Sequence, residues 1–390
     1  MLKRFVPMSF PGATDGEILF EDFEAIQEWE SYNSGAYIGV EGTKAIQIDA
    51  PGWIQRQYAI DATERRSWDR SNGIAFKVKG DGSEHFGCIT IGGQNLWLYS
   101  YYFPLDSKEW KEYSVHWDDF VPGSDFITGK FNTPGNLTVG GISMLRIGDR
   151  WNSGVNNRTL SAFSYQVANI RLIESAVPRF TAKPPEIPPH SHFSEKLAGG
   201  KPVKIYCYGD SLTAGTSLEN PDTERYAIQL QEMLRQRFHR QNIEVRSFGV
   251  GGAHLFDVLG WMPRDLPDVP DLVTLMIGYN NKSSTQPPET FRSQLELWLE
   301  RIAIQTGGKT NILLIPTLPG CDYRFHMQDD YAQVVRNVAQ KWNVPCCPVD
   351  TAFKSLGSSK IADFMTDIAH PNAAGHRLFA ETMTAFLTGK

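Results

Sequence analysis

The chain has few of the residues that mark several common protein classes. Only five of its 390 residues are cysteine, and their positions show no framework spacing. Two of them, Cys346 and Cys347, are adjacent, and we expect them to pack as small hydrophobic side chains. The sequence therefore argues against a disulfide-stapled scaffold.

A strong charge of one sign and a long apolar run are also missing. The formal net charge is −6 at pH 7, with acidic and basic residues interspersed. That pattern disfavours a surface for nucleic acid or for an anionic membrane. No apolar stretch is long enough to span a bilayer. We therefore expect neither a nucleic acid nor a membrane as a partner.

The start of the chain, MLKRFVPMSFPG, contains a basic pair but only a short apolar run interrupted by proline. It does not have the pattern of a secretory signal peptide. The sequence as written fits the cytoplasm, whereas a chain trimmed at its start would fit secretion or the periplasm. The compartment and the oligomeric state stay open.

A length of 390 residues exceeds one ordinary hydrophobic core, so two domains are predicted. Residues 15–176 contain runs such as GIAFKVKG and CITIGG, which are rich in alternating, aromatic and β-branched residues and are separated by turn signals. No strong helical stripe occurs in this half. It is predicted to be a β-sandwich.

Residues 177–200 are rich in proline, which opposes both a helix and an interior strand. We interpret them as a semi-rigid linker. Its histidines, His190 and His192, have no partner ligands nearby in sequence and are expected to be solvated.

Residues 201–390 follow a different pattern. Short apolar strands alternate with helical stripes; the strands are VKIYCY, IEVRSFG, LVTLMIG, NILLIP and, as a further candidate, VPCCPVD. This alternation predicts a three-layer α/β domain with a parallel sheet covered on both faces. In such sheets ligands bind beyond the carboxyl ends of the strands.

The stretch YCYGDSLTAGTS places Ser211 after the first of these strands, with Gly209 and Asp210 between them. A serine nucleophile needs a base, and histidine suits that task near neutral pH. FMTDIAHPNAAGH places Asp367 and His370 three residues apart before the last helix, which Asn372 is predicted to cap. At that spacing the carboxylate can orient the imidazole. Taken alone, the stretch also fits a surface histidine beside a loop aspartate.

Acyl transfer also needs hydrogen-bond donors directed at the developing oxyanion. SFGVGGAH places Gly252 after the second strand, where a backbone N–H can approach a ligand closely. MIGYNNKSS places Gly278 and Asn280 after the third strand, and the Asn280 amide is a further donor. The sequence thus predicts that these segments meet Ser211 at one edge of the sheet.

These blocks together resemble the SGNH (GDSL) hydrolase superfamily, from about residue 202 to the C-terminus. The resemblance implies a flavodoxin-like fold. It implies that Ser211 is the nucleophile and first oxyanion donor, that Gly252 and Asn280 are the other two donors, that His370 is the base and that Asp367 orients it.

One position departs from the family pattern. The third block usually reads Gly-x-Asn-Asp, but Asn281 stands here in place of the acid. Because the acid is not usually given a direct chemical role, we expect a changed local hydrogen-bond network and no loss of catalysis.

Further side chains are candidates for contact with a substrate. Asp210 is one, although a hydrogen bond within its turn is the competing interpretation. The others are Tyr279, His254 and residues of the loop PTLPGCDYRFHMQ, namely Asp322, Tyr323, Arg324 and His326.

The front half contains a dense aromatic patch, LWLYSYYFPLDSKEWKEYSVHWDDF. Such rings form either the core of a sandwich or a face that stacks on sugars. The order of its motifs resembles galactose-binding-like jelly rolls, in particular carbohydrate-binding modules and the complex I intermediate-associated protein group.

Such modules often hold a structural calcium with an acid in the last strand. Here Ala168 takes that place beside Asn169. Glu21, Asp22 and Glu24 remain near the start of the half, so calcium is an open alternative that the missing acid argues against.

A jelly roll followed by an SGNH domain resembles two-domain carbohydrate esterases, especially carbohydrate esterase family two. The resemblance implies a serine esterase that removes O-acetyl groups from a polysaccharide or oligosaccharide through an acyl-enzyme, without a metal or organic cofactor. In that family the front domain can form a wall of the cleft. A lipid esterase or thioesterase, and a non-catalytic carbohydrate-binding protein, are the alternatives.

Overall fold

The computed structural model describes residues 17–21, 23, 28–32, 36–40, 43–50, 53–58, 66–83, 85–93, 98–122, 124–125, 130–131, 139–148, 163–180, 183–266 and 268–389. The chain divides into two compact units. The first unit is Met1–Gly154 with Arg158–Thr181, and the second is Val155–Asn157 with Ala182–Lys390. The predicted domain limits, 15–176 and 201–390, stay a prediction.

The described part of the first unit is built from β-strands, because its sequence alternates apolar and polar side chains between turn residues. The strands are β1 (Glu17–Glu21), β2 (Trp29–Tyr32), β3 (Ala36–Val40), β4 (Thr43–Ala50), β5 (Trp53–Gln57), β6 (Gly73–Lys79), β7 (Phe86–Gly93), β8 (Leu98–Pro104), β9 (Trp110–His116), β10 (Val121–Pro122), β11 (Ser124–Asp125), β12 (Lys130–Phe131), β13 (Ile142–Ile147) and β14 (Phe163–Ile173).

These strands form two larger antiparallel sheets. One has the order β3-β4-β14-β6-β9, with β1 also paired to β14, and the other has the order β10-β8-β7-β13-β5-β2. Side chains from both sheets, such as Phe76 of β6 and Ile89 of β7, belong to one hydrophobic core. The predicted β-structure is confirmed, the sheets are mostly antiparallel, and the jelly-roll topology stays a prediction.

Strand β14 shows how the sequence keeps its apolar side chains in that core. Phe163, Tyr165 and Val167 belong to the core at alternate positions, but beyond the middle of the strand the core positions are Ile170 and Leu172. Between them Asn169 has a φ of 52°, and the pairing of β14 with β6 shifts register there. This bulge adds one residue to the strand. The core side chains are therefore odd-numbered before the bulge and even-numbered after it, and both sets face the core.

The aromatic patch of the first unit contributes mainly to the core. Tyr99, Tyr102 and Phe103 are buried, and the rings of Trp110 and Tyr113 are half-buried. Among the described residues of this patch, no ring is exposed. The interpretation as sandwich core is therefore favoured over an exposed sugar-binding face.

Glu21, one of the acids that the resemblance left for calcium, is buried and bonded to groups of the protein. Its Oε2 accepts hydrogen bonds from Arg56 Nη1 at 2.6 Å and from Tyr58 Oη at 2.8 Å. Its Oε1 accepts one from the Phe23 N–H at 2.6 Å. Burial raises the pKa of Glu21, and the Arg56 charge opposes that rise.

A calcium ion does not fit around this carboxylate, because a guanidinium already supplies the positive charge and occupies its oxygen. Ala168 lies buried in β14 and offers no side-chain ligand. Asp22 and Glu24 lie outside the described residues.

The second unit alternates helices with parallel strands. Its elements are α1 (His190–Ala198), β15 (Val203–Gly209), α2 (Ser211–Ala214), α3 (Pro221–Glu224), α4 (Tyr226–Phe238), β16 (Ile243–Gly249), α5 (Leu255–Asp265), β17 (Leu272–Met276), α6 (Tyr279–Ser283), α7 (Pro288–Gln305), β18 (Asn311–Ile315), α8 (Asp329–Trp342), α9 (Val349–Ser355) and α10 (Ala373–Thr388).

The four strands of this unit form one parallel sheet with the order β16-β15-β17-β18. This is the order 2-1-3-4 in which flavodoxin-like sheets begin. The strands β17 and β18 are buried along their whole length, as expected for a sheet covered on both faces. The predicted parallel sheet is confirmed.

Side chains of β15 alternate between two cores. Ile205 packs in a cluster with Leu230 of α4 and Phe379 of α10. On the other face Tyr208 lies edge-on to Trp298 of α7, with ring centroids 6.4 Å apart. Helices therefore cover both faces, and the loops at the carboxyl ends of the strands share one edge.

The segment VPCCPVD is a strand only in part. Cys346 forms a single parallel bridge to Leu314, and the helix α9 begins at Val349. Pro345 and Pro348 remove backbone donors from the segment, so a full ladder cannot form.

The linker prediction is wrong for residues 190–198, which form α1. This helix begins directly after Pro189, the last proline of the stretch. Phe193 and Leu197, four residues apart, are both buried. His190 is half-buried and burial lowers its pKa, so it is not a solvated histidine, whereas His192 is exposed.

Candidate functional site

The turn after β15 presents Ser211 as the first residue of α2. Asp210 caps this helix, with its Oδ1 accepting from the Leu212 N–H at 3.0 Å. A Cβ on Gly209 would lie 2.1 Å from Thr213 Oγ1 and 2.4 Å from the Met276 carbonyl oxygen. Only glycine fits there, which explains the residue that ends the strand.

The hydroxyl of Ser211 meets the predicted base. His370 Nε2 lies 3.0 Å from Ser211 Oγ, and His370 Nδ1 lies 2.8 Å from Asp367 Oδ2. The carboxylate can only accept, so Nδ1 carries the hydrogen and the Nε2 lone pair faces the serine. The three side chains have the geometry of a Ser-His-Asp triad.

A tight turn before α10 holds His370 and Asp367 together. The Thr366 N–H donates to the His370 carbonyl at 2.7 Å, and Met365 pairs with Pro371 in an antiparallel bridge. Asn372 caps α10 as predicted, with its Oδ1 accepting from the Gly375 N–H at 3.0 Å. Local backbone bonds thus fix the separation of the acid and the base.

Asp367 is held in its charged form. Its Oδ1 accepts from the N–H groups of Ala369 at 2.7 Å and His370 at 2.8 Å. Burial alone would raise the pKa of Asp367, but these two donors and the imidazole outweigh it, and the pKa is lowered. The carboxylate is therefore ionised at neutral pH and can stabilise an imidazolium.

The glycine turn after β16 adjoins the Ser211 turn. The Val250 N–H donates to the Gly209 carbonyl at 3.1 Å, and Gly252 has a φ of 77°, which favours glycine. Within the described part of the chain, the N–H groups of Ser211 and Gly252 have no hydrogen-bond acceptor. Both are free to bind an anion at this edge.

Asn280 follows the third strand, and its amide is positioned by the glycine turn. Its Nδ2 donates to the Ala253 carbonyl at 2.9 Å. An amide nitrogen carries two hydrogens, so one stays available for a ligand. Gly278, with a φ of 129°, makes the backbone turn that leads into Asn280.

Asn281 belongs to a buried chain of amides. Its Oδ1 accepts from the Leu255 N–H at 3.3 Å, and its Nδ2 donates to Gln286 Oε1 at 2.5 Å. Gln286 in turn donates to Gln294 Oε1 at 3.1 Å. This is a hydrogen-bond network in which a neutral amide stands where the family usually has an acid.

Two of the predicted substrate contacts do not lie at an accessible surface. Asp210 is fully buried, and burial raises its pKa to about 7. His254 is 2% exposed, caps α5, and its Nε2 lies 2.8 Å from Ser284 Oγ. Burial argues against both as substrate contacts, since Asp210 is bonded within its own turn and His254 is bonded to Ser284 of a distant segment. Their contact with a substrate stays a prediction.

The other candidates lie near the carboxyl end of β18 or beside it. The Tyr279 hydroxyl accepts from Arg324 Nη1 at 3.3 Å. Tyr323 is 75% exposed, and its hydroxyl accepts from Arg324 Nε at 3.1 Å. His326 is exposed and its Nδ1 lies 3.0 Å from Asp329 Oδ2. Their contact with a substrate stays a prediction.

Sequence reasoning missed His376, which lies six residues after His370 in the same motif stretch. It is buried, its Nδ1 accepts from the Tyr226 N–H at 3.2 Å, and burial lowers its pKa to about 3. Its spacing from Phe379, Ala380 and Met383 on the buried side of α10 is the signal that could have marked it as a core histidine.

The described residues offer neither a membrane span nor a metal cluster. In them, no helix is long and apolar enough to cross a membrane. Nor do three or more His, Cys, Asp or Glu side chains there group in a way that could hold a metal ion.

Comparison with known proteins found similar solved structures, whereas no curated protein matches the chain. One is LAE5, an α/β hydrolase enzyme from the metagenome of Lake Arreo, Spain, with 23% identity, a TM-score of 0.43 and coverage of 50% of this chain and 98% of that chain. A second is Axe2, an acetylxylan esterase from Geobacillus stearothermophilus, with 21% identity, a TM-score of 0.42 and coverage of 49% and 96%.

A third is a putative GDSL-like lipase from Parabacteroides merdae, with 20% identity, a TM-score of 0.43 and coverage of 53% and 99%. These likenesses are too low for a function to be transferred from them. Residues 207–378 of this chain match the GDSL-like lipase/acylhydrolase family, as the motifs around Ser211 and His370 predicted.

Proposed function

We propose that the second unit is a serine esterase that removes O-acetyl groups from a carbohydrate through an acyl-enzyme. One observation carries the proposal: Ser211 Oγ lies 3.0 Å from His370 Nε2, while His370 Nδ1 lies 2.8 Å from Asp367. The match of residues 207–378 to an acylhydrolase family supports the reaction class.

In the first step His370 acts as the base. Asp367 holds the Nδ1 hydrogen, so Nε2 takes the proton from Ser211 as the serine oxygen bonds to the acetyl carbon. The carboxylate stabilises the imidazolium that results. The carbonyl oxygen becomes an oxyanion, and the N–H groups of Ser211 and Gly252 and the Asn280 amide donate to it.

In the second step the sugar leaves. His370 gives its proton to the sugar oxygen, the bond from that oxygen to the acetyl carbon breaks, and acetyl-Ser211 remains. A water then attacks the acetyl carbon while His370 accepts its proton. When the second oxyanion collapses, the bond from the acetyl carbon to Ser211 Oγ breaks and His370 returns the proton to Oγ, which restores Ser211 and releases acetic acid, ionised to acetate in water.

The alcohol that leaves in this reaction is proposed to be a sugar. The two-domain resemblance and the exposed ring of Tyr323 beside the site support a sugar as the alcohol. The rings of the first unit do not add support, because those described lie in its core or are half-buried.

Hydrolysis of p-nitrophenyl acetate by the wild type and by Ser211→Ala tests the chemistry. We expect kcat to fall by about 10³-fold or more, because the oxyanion donors alone leave only a small residual rate. Ser355→Ala, which removes an exposed hydroxyl on α9, is the control and should be fully active. Full activity of Ser211→Ala would refute the proposal.

Two further measurements separate the alternatives. Release of acetate from acetylated xylan, mannan and pectin, with acetate esters preferred over octanoate esters, is the expected pattern. A preference for octanoate would favour a lipid esterase or thioesterase. Failure of a fluorophosphonate to label Ser211 would favour a non-catalytic carbohydrate-binding protein.

A further inference from the structure

A guanidinium without a counterion lies next to the turn that holds His370 and Asp367. We propose that Arg324 determines specificity by binding a carboxylate on the sugar part of the substrate, so that the preferred substrates are acetylated saccharides containing uronic acid. This inference rests on the proposed function and names its substrate class.

The loop that carries Arg324 is bound to the turn between the acid and the base. The loop follows β18 and contains a 3-10 turn, Asp322–Arg324. The Cys321 N–H donates to the Ile368 carbonyl at 3.0 Å, and Ile368 stands between Asp367 and His370 in sequence. Arg324 is therefore anchored beside the reacting groups.

Gly320 shows how closely these parts approach. A Cβ at this position would lie 2.4 Å from the Ile368 carbonyl oxygen, 2.7 Å from Arg324 Cβ and 3.0 Å from the Tyr279 hydroxyl. Three segments thus converge on one glycine, and Tyr279 directly precedes Asn280. The root of the Arg324 side chain therefore lies close to the Ile368 carbonyl of the catalytic turn and to the Tyr279 hydroxyl.

Two phenols orient the guanidinium but do not neutralise it. Arg324 Nη1 donates to the Tyr279 hydroxyl at 3.3 Å, and Nε donates to the Tyr323 hydroxyl at 3.1 Å. The guanidinium also lies 5.5 Å from the centre of the Tyr323 ring. A guanidinium has five N–H donors, so Nη2 and part of Nη1 stay available.

Within the part of the chain that the structure describes, no carboxylate pairs with Arg324. Other cations on α8 or paired with it do have a carboxylate partner. Lys282 pairs with Asp330, and Arg336 pairs with Asp350. An unpaired planar cation next to a reaction site is suited to bind a carboxylate through two parallel hydrogen bonds.

The surroundings fit a sugar acid better than an isolated small anion. Tyr323 is 75% exposed, and Ile368 is 37% exposed. A flat exposed ring can stack on the C–H face of a sugar while the adjacent guanidinium binds its carboxylate. A permanent positive charge also favours an acidic saccharide over a neutral one by charge complementarity.

The test compares three substrates: p-nitrophenyl acetate, acetylated xylo-oligosaccharide and acetylated oligogalacturonate. We expect wild type to prefer the acidic oligosaccharide. In Arg324→Met the ratio of kcat/KM for the acidic substrate over the neutral one should fall by about 10- to 100-fold, which corresponds to a charge-assisted hydrogen-bonded pair. Most of the change should lie in KM.

Arg324→Lys keeps the charge but cannot bind in the same fork, so it should retain part of the preference. Raised salt should weaken the preference in wild type but not in Arg324→Met. The control is Arg377→Met, an exposed arginine of α10 paired with Glu381, which should leave the ratio unchanged.

Equal losses on acidic and neutral substrates would overturn the proposal, because they are what a purely structural role for Arg324 predicts. An equal preference of wild type for both oligosaccharides would overturn it too. Either result with normal turnover of p-nitrophenyl acetate leaves the esterase proposal standing. Absence of Ser211-dependent turnover of p-nitrophenyl acetate would instead refute the esterase proposal itself.

Discussion

At the scale of single residues, neighbouring positions have opposite environments. Ser211 meets an imidazole at the edge of the sheet, while Asp210 immediately before it is fully buried and caps the same short helix. His370 touches Ser211, while His376 on the next helix is buried and its pKa is lowered to about 3. The residue type alone does not distinguish these roles, because burial and partners decide them.

Asp210 should make the stability of the second unit depend on pH. Burial raises its pKa to about 7 in the folded chain, whereas an unfolded aspartate titrates near about 3.9. Between these values the folded state keeps a proton that the unfolded state has released, so this carboxyl lowers the free energy of unfolding as pH rises through that range.

Asp210→Asn removes this titration and keeps an oxygen for the cap. From pH 4 to pH 8 the free energy of unfolding should shift in favour of the variant by roughly 4 kcal/mol relative to wild type. Denaturant unfolding at several pH values measures this, with Asp363→Asn, an exposed acid, as the control. Parallel pH profiles for wild type and Asp210→Asn would contradict the prediction.

At the scale of elements, two adjacent asparagines join the start of α6 to the glycine turn before α5. Asn280 donates to the Ala253 carbonyl, and Asn281 accepts from the Leu255 N–H. The short segment from Ala253 to Leu255 is therefore hydrogen-bonded to these two asparagines at both of its ends. Gly252 and Asn280, the two proposed oxyanion donors outside Ser211, are therefore positioned by the same pair of side chains.

Asn281→Leu tests this arrangement. The change leaves the Leu255 N–H and Gln286 Oε1 without their buried partner, so we expect a loss of about 1–3 kcal/mol in the free energy of unfolding. A loosened oxyanion segment should also lower kcat for p-nitrophenyl acetate by about 10-fold, with little change in KM. Unfolding curves and steady-state kinetics measure both.

The matched control is Asn337→Leu, because the Asn337 amide accepts a hydrogen bond from Gln333 on the exposed side of α8. It should change neither quantity appreciably. If Asn281→Leu lost stability but kept its full kcat, the amide chain would be a structural network without influence on the oxyanion donors.

At the scale of the complete chain, each of the two units has its own kind of core. The first has two antiparallel sheets around a core that contains the buried carboxylate of Glu21, and the second has a parallel sheet between helices. A buried charge is tolerated only when it is paired and hydrogen-bonded. Glu21 therefore needs the charge of Arg56 and the hydrogen bond from Tyr58.

Arg56→Met should destabilise the first unit by about 3–5 kcal/mol, because it leaves Glu21 charged, buried and without its cation. Arg70→Met breaks an exposed pair with Glu174 and should cost at most about 1 kcal/mol. Thermal unfolding measures both. Calcium or a chelator should not shift the wild-type transition, and a chelator-sensitive transition would show that an ion binds this unit after all.

Much of the local structure follows from short sequence patterns. The strands of the second unit, the Asn372 cap and the glycine at the end of β15 follow from patterns within a few residues, because propensity, capping and close backbone approach act locally. The linker prediction is wrong for residues 190–198 because the prolines end at Pro189. The apolar pair Phe193 and Leu197, spaced i, i+4, favours a helix beyond that point.

Which candidates reach the site depends instead on contacts between distant segments. Ser211 and His370 lie 159 positions apart, and their contact at 3.0 Å depends on the order of strands in the sheet. The burial of His254, the amide chain at Asn281 and the unpaired guanidinium of Arg324 depend likewise on distant segments. Burial and charge pairing are set by neighbours in space, which no local pattern specifies.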